Sequence, residues 1–263
     1  MNKKIIFFDV DYTIYSHKTN SIPKSCIEGI KKAKENGYLI CLATGRSKGL
    51  TSVLHIFDVI DFDYFVTING TLVLDKNNNI IFSLPINKKA IKKIFEVTDK
   101  YNLNIALISK DDCYLYKDED ERSHKGYDPL HIPLPNKKEY KNEDIYQINL
   151  FCEDEYLKYY EEETKDYVSY SKLDNYGYDA YCKGQTKATG IKHLIDYLHI
   201  DQKDTIAFGD GHNDKEMIEF CNIGIAMGNA LQKVKDVSNY ITTDIDDDGI
   251  YNALKHFNII NNK

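Results

Sequence analysis

The first apolar run of the chain ends in two acidic residues. Residues 5 to 8 read Ile-Ile-Phe-Phe, and Asp9 and Asp11 follow with a single valine between them. A short apolar run without alternation is typical of a strand buried on both faces. Two carboxylates this close resist burial together unless a cation or a shared proton offsets their repulsion. The pattern predicts a first strand over about residues 4–8 that ends at a metal site.

Strand and helix patterns then alternate along the chain. The segment "SIPKSCIEGIKKAKENG" spaces its apolar residues at helical intervals between Pro23 and Gly37, which predicts one amphipathic helix. The continuous apolar segment "YLICLAT" (38–44) predicts a second buried strand, and "DYFVTING" (63–70) predicts a third. Between them, the apolar residues from Leu50 to Phe57 predict a second helix. Such alternation predicts an α/β fold, in which helices cover a parallel sheet.

The pattern changes in the middle of the chain. After two short strands around the turn in "TLVLDKNNNIIFSL", residues 85–183 mix helices and strands without regular alternation, which predicts a separate α+β unit. An acidic helix over 153–165 belongs to it, and "DEDERSHKGYDP" (118–129) is interpreted as a solvated loop. Alternation resumes with "TKATGIKHLIDYL" and "TIAFGDG". Residues 1–84 and 184–263 are therefore predicted to build one sheet.

Composition and charge exclude several classes of function. The chain has 263 residues, 42% hydrophobic and 29% charged, and a net charge of −7, which gives no general attraction for nucleic acid or an anionic membrane. Its six cysteines show no metal-binding or redox-pair spacing, which indicates reduced thiols. No apolar run approaches the length of about 20 residues that a membrane span needs, so a cytoplasmic location is expected. The oligomeric state is not fixed by these features.

Oxygen-bearing side chains cluster at the predicted carboxyl ends of the strands. Parallel α/β sheets bind ligands at that edge. The candidates are Asp9 and Asp11 after the first strand, Thr44 after the second, Asp210 and Asp214 after "TIAFG", and Lys187 at the start of the preceding helix. A set rich in carboxylates and without histidine suits Mg²⁺ better than zinc.

These residue types suit phosphoryl transfer. With a metal present, one aspartate can act as a nucleophile and form an aspartyl-phosphate, while a second carboxyl group gives and recovers the proton of the leaving group. Asp9 and Asp11 supply both roles. Thr44 and Lys187 would stabilise charge on the transferred phosphoryl oxygens.

Four segments in order, "DVDYT", "ATGR", "KGQTK" and "GDGHND", resemble the motifs of the haloacid dehalogenase superfamily, and specifically its Cof-type phosphatases. Three further segments, "TING", "AMGNA" and "DDDGI", are similar to that family in content and order. The resemblance implies a Rossmann-like parallel-sheet core over 1–84 and 184–263, with an inserted α/β cap domain over 85–183 that closes over the site and selects the substrate.

The resemblance also implies a role for each matching residue. Asp9 would be the nucleophile and Asp11 the general acid and base. Thr44, Gly45, Lys187 and Asn213 would contact the phosphate or the substrate, and Mg²⁺ would be held by Asp9, the carbonyl of Asp11 and Asp210, with Asp214 assisting directly or through water. His212, inside the fourth motif, is not expected to act in catalysis.

The first motif departs from the family at one position. The family usually has glycine after the second aspartate, whereas this chain has Tyr12. Either the backbone there is ordinary or the tyrosine narrows the entrance to the site, because a bulky residue tolerates unusual backbone angles poorly.

The sequence therefore predicts a magnesium-dependent phosphatase that acts on a small phosphate monoester, with sugar phosphates the favoured class. A sugar phosphomutase of the same superfamily and a phospho-accepting switch protein remain as alternatives. A dehalogenase is disfavoured, because displacement of a halide needs no second acid at Asp11. In the inserted unit, Arg122, His124 and Lys125 would face an anionic substrate only if their segment lines the cleft.

Overall fold

The computed structural model describes residues 3–128, 133–174 and 176–261. The strands are β1 (Ile5–Phe8), β2 (Leu39–Ala43), β3 (Tyr64–Thr67), β4 (Leu72–Asp75), β5 (Ile80–Ser83), β6 (Asn104–Ile108), β7 (Cys113–Leu115), β8 (Gln147–Phe151), β9 (Val168–Asp174), β10 (Gly177–Cys182), β11 (Thr205–Gly209), β12 (Ile223–Ala226) and β13 (Tyr240–Ile241). The helices are α1 (Lys24–Glu35), α2 (Lys48–Ser52), α3 (Lys88–Lys100), α4 (Glu121–Tyr127), α5 (Asp154–Thr164), α6 (Lys187–Leu198), α7 (Lys215–Phe220), α8 (Gln232–Lys235) and α9 (Gly249–His256).

The chain folds into two compact units. The core unit comprises the described parts of Met1–Arg46, Thr51–Phe82 and Thr186–Lys263. The inserted unit comprises Ser47–Leu50 and the described parts of Ser83–Gln185. The short segment Ser47–Leu50 thus leaves the core unit directly after Arg46 and returns at Thr51.

The core unit is an α/β domain built on a β-sheet. In the described part of the chain this sheet has eight strands in the order β13-β12-β11-β1-β2-β3-β4-β5, and β1 pairs in parallel with both β2 and β11. From β1 the chain proceeds through β2 to β3 on one side, whereas β11, β12 and β13 lie on the other. The strand order therefore reverses between β1 and β11, and α/β sheets bind ligands beyond the carboxyl ends of the strands at such a point.

Burial explains why β1 lacks an alternating pattern. All four of its side chains are fully buried, and Phe8 stacks on Phe208 of β11 with ring centroids 5.0 Å apart. A strand in the middle of a sheet with both faces covered needs an apolar side chain at every position. Helix α1 begins after Pro23, buries Cys26, Ile30 and Ala33, and packs on α9.

The inserted unit is an α+β domain with its own apolar core. Among the residues the structure describes, its sheet has five strands in the order β7-β6-β8-β10-β9, and the pairs β6–β7, β6–β8, β8–β10 and β10–β9 are antiparallel. Helices α3 and α5 pack together. Helix α3 contributes Ile91 and Ile94 to a large apolar cluster that also contains Ile148 of β8 and Tyr160 of α5. A second, smaller cluster contains Ala106, Leu115, Tyr127 and Phe151, with Leu50 packed against it.

Two predicted elements were wrong. The predicted second helix through Leu50 and Phe57 is interrupted: α2 ends at Ser52, and His55 adopts a left-handed conformation with φ 55° before a 3-10 turn at Ile56–Asp58. The segment interpreted as a solvated loop (118–129) contains α4 instead, because Asp120 and Ser123 form a capping box at its start. Pro129 of that segment lies outside the described residues.

Within residues 3–128, 133–174 and 176–261, no helix combines the length and the apolar composition that crossing a membrane requires.

Candidate active site

Asp9 lies directly beyond the central strand of the core sheet. Its backbone N–H donates to the carbonyl oxygen of Phe208 at 3.0 Å, so the pairing of β1 with β11 continues into the motif. Its carboxylate is buried, with 6% of the residue exposed. Asp9 is thus placed by the sheet itself, at the point where the strand order reverses.

Lys187 reaches Asp9 from the first turn of α6. The helix starts with a capping box formed by Thr186 and Thr189, which fixes its first turn. The Lys187 side chain is fully buried, and its Nζ donates to Oδ1 of Asp9 at 2.5 Å and to Oδ1 of Asp214 at 2.6 Å. A buried ammonium group requires such partners, since unpaired burial of a charge costs several kcal/mol.

Two glycines allow α6 to approach the turn after β3. A Cβ on Gly190 would lie 2.6 Å from the Cα of Gly70, and a Cβ on Gly70 would lie 2.1 Å from the carbonyl oxygen of Thr186. Gly70 also has φ +88°, in the left-handed region that favours glycine. The absence of two side chains is therefore what lets the start of α6, and with it Lys187, enter the site.

Asp210 and Asp214 come from the turn that follows β11. Oδ2 of Asp214 accepts hydrogen bonds from the backbone N–H groups of Asp210 at 2.9 Å and Gly211 at 2.8 Å. Oδ1 of Asp210 accepts a hydrogen bond from the hydroxyl of Thr13 at 3.1 Å. Asp214 therefore orients the turn with one oxygen and pairs with Lys187 through the other.

Three carboxylates converge at this point. Asp9, Asp210 and Asp214 each offer one oxygen, and these atoms all lie within 4.8 Å of one another. Three carboxylates against the single ammonium of Lys187 leave two negative charges, which a divalent cation would balance. Oxygen-only donors are the ligands that hard cations such as Mg²⁺ prefer. The residues present therefore fit a divalent metal site.

The pKa values reflect the same crowding. Burial and the neighbouring Asp214 carboxylate raise the pKa of Asp9 well above its usual range, although Lys187 acts in the opposite direction. Burial and Asp214 also raise the pKa of Asp210 to about 7. Burial lowers the pKa of Lys187, but Asp214 and Asp9 outweigh this effect and raise it above its ordinary value. The cluster therefore holds its lysine charged and resists full ionisation of its acids.

Asp11 does not join the carboxylate cluster through its side chain. Its Oδ1 lies 2.6 Å from Nε2 of His17, and Arg46 donates to both of its oxygens, from Nε at 2.8 Å and from its terminal nitrogen at 2.9 Å. Burial raises the pKa of Asp11, but the hydrogen bonds from His17 and Arg46 outweigh it and hold the pKa well below its usual range. In this conformation Asp11 is an ionised carboxylate.

Thr44, Gly45 and Asn213 meet around Asn69. The backbone N–H of Asn69 donates to the carbonyl oxygen of Thr44 at 3.1 Å, and Nδ2 of Asn213 donates to Oδ1 of Asn69 at 3.0 Å. A Cβ on Gly45 would lie 3.2 Å from both amide side chains. Asn69 and its neighbour Ile68 both lie in the left-handed region, with φ 49° and φ 51°. This conformation is strained for a β-branched residue such as Ile68.

Tyr12 occupies the position where the sequence departs from the family pattern. It adopts the left-handed conformation, with φ 58°, so the turn is not an ordinary one. Its backbone N–H donates to the carbonyl oxygen of Tyr15 at 2.8 Å, and its carbonyl oxygen accepts from Nδ2 of Asn229 at 2.8 Å. These two contacts hold a conformation that glycine would adopt at lower cost.

The structure thus assembles the predicted residues into two groups. Asp9, Asp210, Asp214 and Lys187 form one, and Thr44, Gly45 and Asn213 form the other. Four contributors were not singled out from the sequence, namely Thr13, His17, Arg46 and Asn69. Thr13, Arg46 and Asn69 lie inside the segments "DVDYT", "ATGR" and "TING", so the motifs themselves carried a signal for them, whereas nothing in the local sequence pointed to His17. The side chain of His212 is exposed.

Comparisons with known proteins identify relatives and similar structures over nearly the full length of the chain. The chain is 33% identical over 267 residues to Putative phosphatase YkrA of Bacillus subtilis (strain 168), an alignment that covers 99% of this chain and 100% of that protein. The fold is similar to that of a hypothetical protein from Geobacillus kaustophilus HTA426, with a TM-score of 0.91 and 31% identity over 98% of this chain and 100% of that one. It is also similar to the HAD subclass IIB sugar phosphatase BT4131, with a TM-score of 0.83 and 30% identity over 98% of this chain and 100% of that one.

A family model described as haloacid dehalogenase-like hydrolase matches residues 6–254. This match includes both segments of the core unit that carry the acidic cluster and all of the inserted unit. The match confirms the superfamily and the hydrolase class that the sequence predicted, and the similar structures confirm the α/β fold class. The chain belongs to the haloacid dehalogenase-like hydrolases.

Proposed function

We propose that this protein is a Mg²⁺-dependent phosphatase that hydrolyses a small phosphate monoester through an aspartyl-phosphate on Asp9. The observation that carries the proposal is the burial of Asp9 against Lys187, beside Asp210 and Asp214, at the reversal point of the sheet. A buried carboxylate with a fixed ammonium on one side and further acids on the other suits nucleophilic attack on an anionic group once the excess negative charge is neutralised.

The metal would be held by the carboxylates of Asp9, Asp210 and Asp214, with the Asp11 carbonyl as the further ligand implied by the family resemblance. When bound, Mg²⁺ would neutralise the cluster and lower the repulsion between Asp9 and an incoming phosphate. Lys187 would screen the same repulsion permanently, because its charge is fixed by two carboxylates.

The reaction has two steps. In the first, a carboxylate oxygen of Asp9 forms a bond to phosphorus, the bond from phosphorus to the leaving oxygen breaks, and that oxygen takes a proton from Asp11. In the second, water attacks the phosphorus of the aspartyl-phosphate and gives a proton to Asp11. This releases inorganic phosphate, regenerates the Asp9 carboxylate and returns Asp11 to its acid form. Thr44, Gly45 and Asn213 would bind the phosphoryl oxygens.

The contacts of Asp11 in the structure suit only one of the two protonation states that these steps require. Its ionised form, paired with Arg46 and His17, is the form that accepts a proton from water in the second step. The acid form used in the first step requires a weaker interaction with one of these two partners, because both favour the carboxylate. Arg46 and His17 therefore influence the protonation state of Asp11.

The inserted unit, predicted as a cap over residues 85–183, would select the substrate. A domain inserted between the second and third motifs can contribute side chains to the site without altering the core sheet. The favoured substrate class is a sugar phosphate, which the similarity to the sugar phosphatase BT4131 supports at 30% identity.

The proposal is tested by phosphate release from sugar phosphates, nucleotides and cofactor phosphates, first with Mg²⁺ and then with a chelator. The wild-type protein should release phosphate only with the metal. Acid quenching during turnover should leave a peptide containing Asp9 heavier by one phosphoryl group, and Asp9→Asn should abolish both release and labelling. Turnover by Asp9→Asn at the wild-type rate would falsify the assignment of the nucleophile, and a label that persists without release would indicate a switch protein.

A further inference from the structure

Tyr12 has a strained backbone conformation although half of the residue is exposed. A bulky residue with φ 58° is an outlier, and such outliers concentrate at sites where function requires them. Burial does not compensate for it, because 50% of Tyr12 is exposed. The conformation is nevertheless fixed from two sides, through the Tyr15 carbonyl oxygen and the Asn229 side chain.

The ring of Tyr12 packs against His17, which in turn contacts Asp11, the residue that would protonate the leaving group. Its centroid is 4.8 Å from that of His17, at an interplanar angle of 46°. The same His17 places Nε2 2.6 Å from Oδ1 of Asp11, and it also packs edge-on against Tyr15 with centroids 5.1 Å apart. One side of the Tyr12 ring is thus supported by His17, while half of the residue stays accessible.

We propose that Tyr12 is a specificity-determining residue, which contacts the leaving group and selects phosphate esters in which a sugar ring lies next to the ester oxygen. This inference rests on the proposed function. The leaving oxygen must come within hydrogen-bonding distance of Asp11 to take its proton. The atoms attached to that oxygen are therefore the ones that pass closest to the neighbouring Tyr12.

A sugar ring suits this position better than an open chain. A furanose or pyranose presents a rigid face of C–H groups, which packs on an aromatic ring and loses little conformational freedom. The reduced, open-chain alditol phosphate has the same carbon number and the same phosphate, but it presents no such face and loses more freedom on binding.

The test compares kcat/KM for aldose phosphates with kcat/KM for their matching alditol phosphates. Wild-type protein should favour the cyclic member of each hydrolysed pair. Tyr12→Phe should retain that ratio, and Tyr12→Gly should lower it roughly three- to tenfold through the loss of the ring contact. An equal change for both members of the pair would show a merely structural role and overturn the inference.

Thermal unfolding of the variants shows whether a change in the substrate ratio comes from a less stable fold. Glycine at position 12 removes the backbone strain, so Tyr12→Gly should raise the Tm by about two to four degrees. The control is His199→Gly, which relieves a similar φ of 54° at the end of α6 and should raise the Tm without altering the substrate ratio. A lower Tm for Tyr12→Gly would mean that the ring supports the fold, and would also contradict the inference.

Different results would contradict the proposed function and the role of Tyr12. If wild-type protein releases phosphate from no ester in the presence of Mg²⁺, the proposed function is wrong. If it hydrolyses other esters but no aldose phosphate, or if Tyr12→Gly keeps the wild-type ratio, only the role of Tyr12 is wrong.

Discussion

Nζ of Lys187 lies 2.5 Å from Oδ1 of Asp9, a contact that joins the start of α6 to the end of β1 across 178 positions of the chain. Both groups are shielded from bulk solvent, since Lys187 is fully buried and Asp9 is 6% exposed. The pair therefore links the integrity of the fold to the chemistry of the site, because the same contact offsets the cost of burying both charges.

Replacing Lys187 should damage stability and activity together. In Lys187→Met, Asp9 and Asp214 lose their ammonium partner, and breaking a buried pair in this way costs about 3–5 kcal/mol. Urea unfolding in chelator measures this loss, and phosphate release should fall at least about 100-fold. The matched control is Lys192→Met on the same helix, whose exposed pair with Asp196 should contribute less than about 0.5 kcal/mol. Equal effects of the two substitutions would contradict the role of the buried contact.

The stability of the metal-free protein should fall as pH rises toward neutrality. The pKa of Asp210 is about 7 in the folded protein and about 3.9 in an unfolded chain, so the folded state holds more protons between these values. The free energy of unfolding in chelator should therefore decrease from pH 4 to about pH 7, with a slope of up to about 1.4 kcal/mol per pH unit for this proton. The measurement is urea unfolding at several pH values.

Saturating Mg²⁺ should remove that decrease, because the metal favours the ionised carboxylates that the folded protein otherwise disfavours. Asp210→Asn should flatten the profile in chelator and weaken the stabilisation by Mg²⁺. Identical pH profiles with chelator and with Mg²⁺ would argue against a metal site at this cluster.

Removing the guanidinium of Arg46 should shift the pH optimum upward. Arg46→Gln takes away the two-point contact with Asp11, which should raise the pKa of Asp11 by about one to three units. Because Asp11 must carry its proton to protonate the leaving group in the first step, the high-pH limb of the kcat/KM profile should move to higher pH. The control is Arg122→Gln, which removes an arginine–glutamate pair in the inserted unit. A reduced rate with an unchanged optimum would show that Arg46 acts only through structure.

The close approach of α6 can be tested with two glycines of nearly equal backbone geometry. Gly70 has φ +88° and Gly37 has φ +89°, but only a Cβ at Gly70 meets other atoms within 4 Å. Gly37→Ala should therefore cost about 1 kcal/mol from backbone strain alone. Gly70→Ala should cost about 1–3 kcal/mol more and should also reduce phosphate release, because it displaces the first turn of α6 and Lys187. Similar losses of stability in both variants, with activity intact, would remove the link between this contact and the site.

The elements that the sequence predicted well are those in which every local preference agrees with the environment. The fully apolar β1 sits in the middle of the sheet, and α1 begins just after Pro23 and ends before Gly37, close to the predicted bounds. The motif order likewise indicated the convergence of Asp9 with Lys187, because a helix that leads into a parallel strand starts at the edge of the sheet where the strands have their carboxyl ends.

What the sequence did not reveal depends on contacts between distant side chains or on tolerated strain. The pairing of Arg46 with Asp11 spans 35 positions and follows no periodic rule. Nothing local predicts that Tyr12 adopts a left-handed conformation, which is held by its contacts with Tyr15 and Asn229. His55 interrupts the predicted second helix in the same way, by a backbone angle that its side-chain type does not favour.

The path of the chain at Ser47–Leu50 sets a condition for any attempt to excise the inserted unit. Joining residue 82 to residue 186 would delete Ala106, Leu115, Tyr127 and Phe151, the apolar cluster on which Leu50 packs. The truncated protein would then carry an uncovered leucine four residues after Arg46, in α2, which follows the second motif. A minimal version of the core therefore needs a redesigned, polar segment at 47–50 as well as a new junction, and a grafted replacement domain needs its own apolar contact for that side chain.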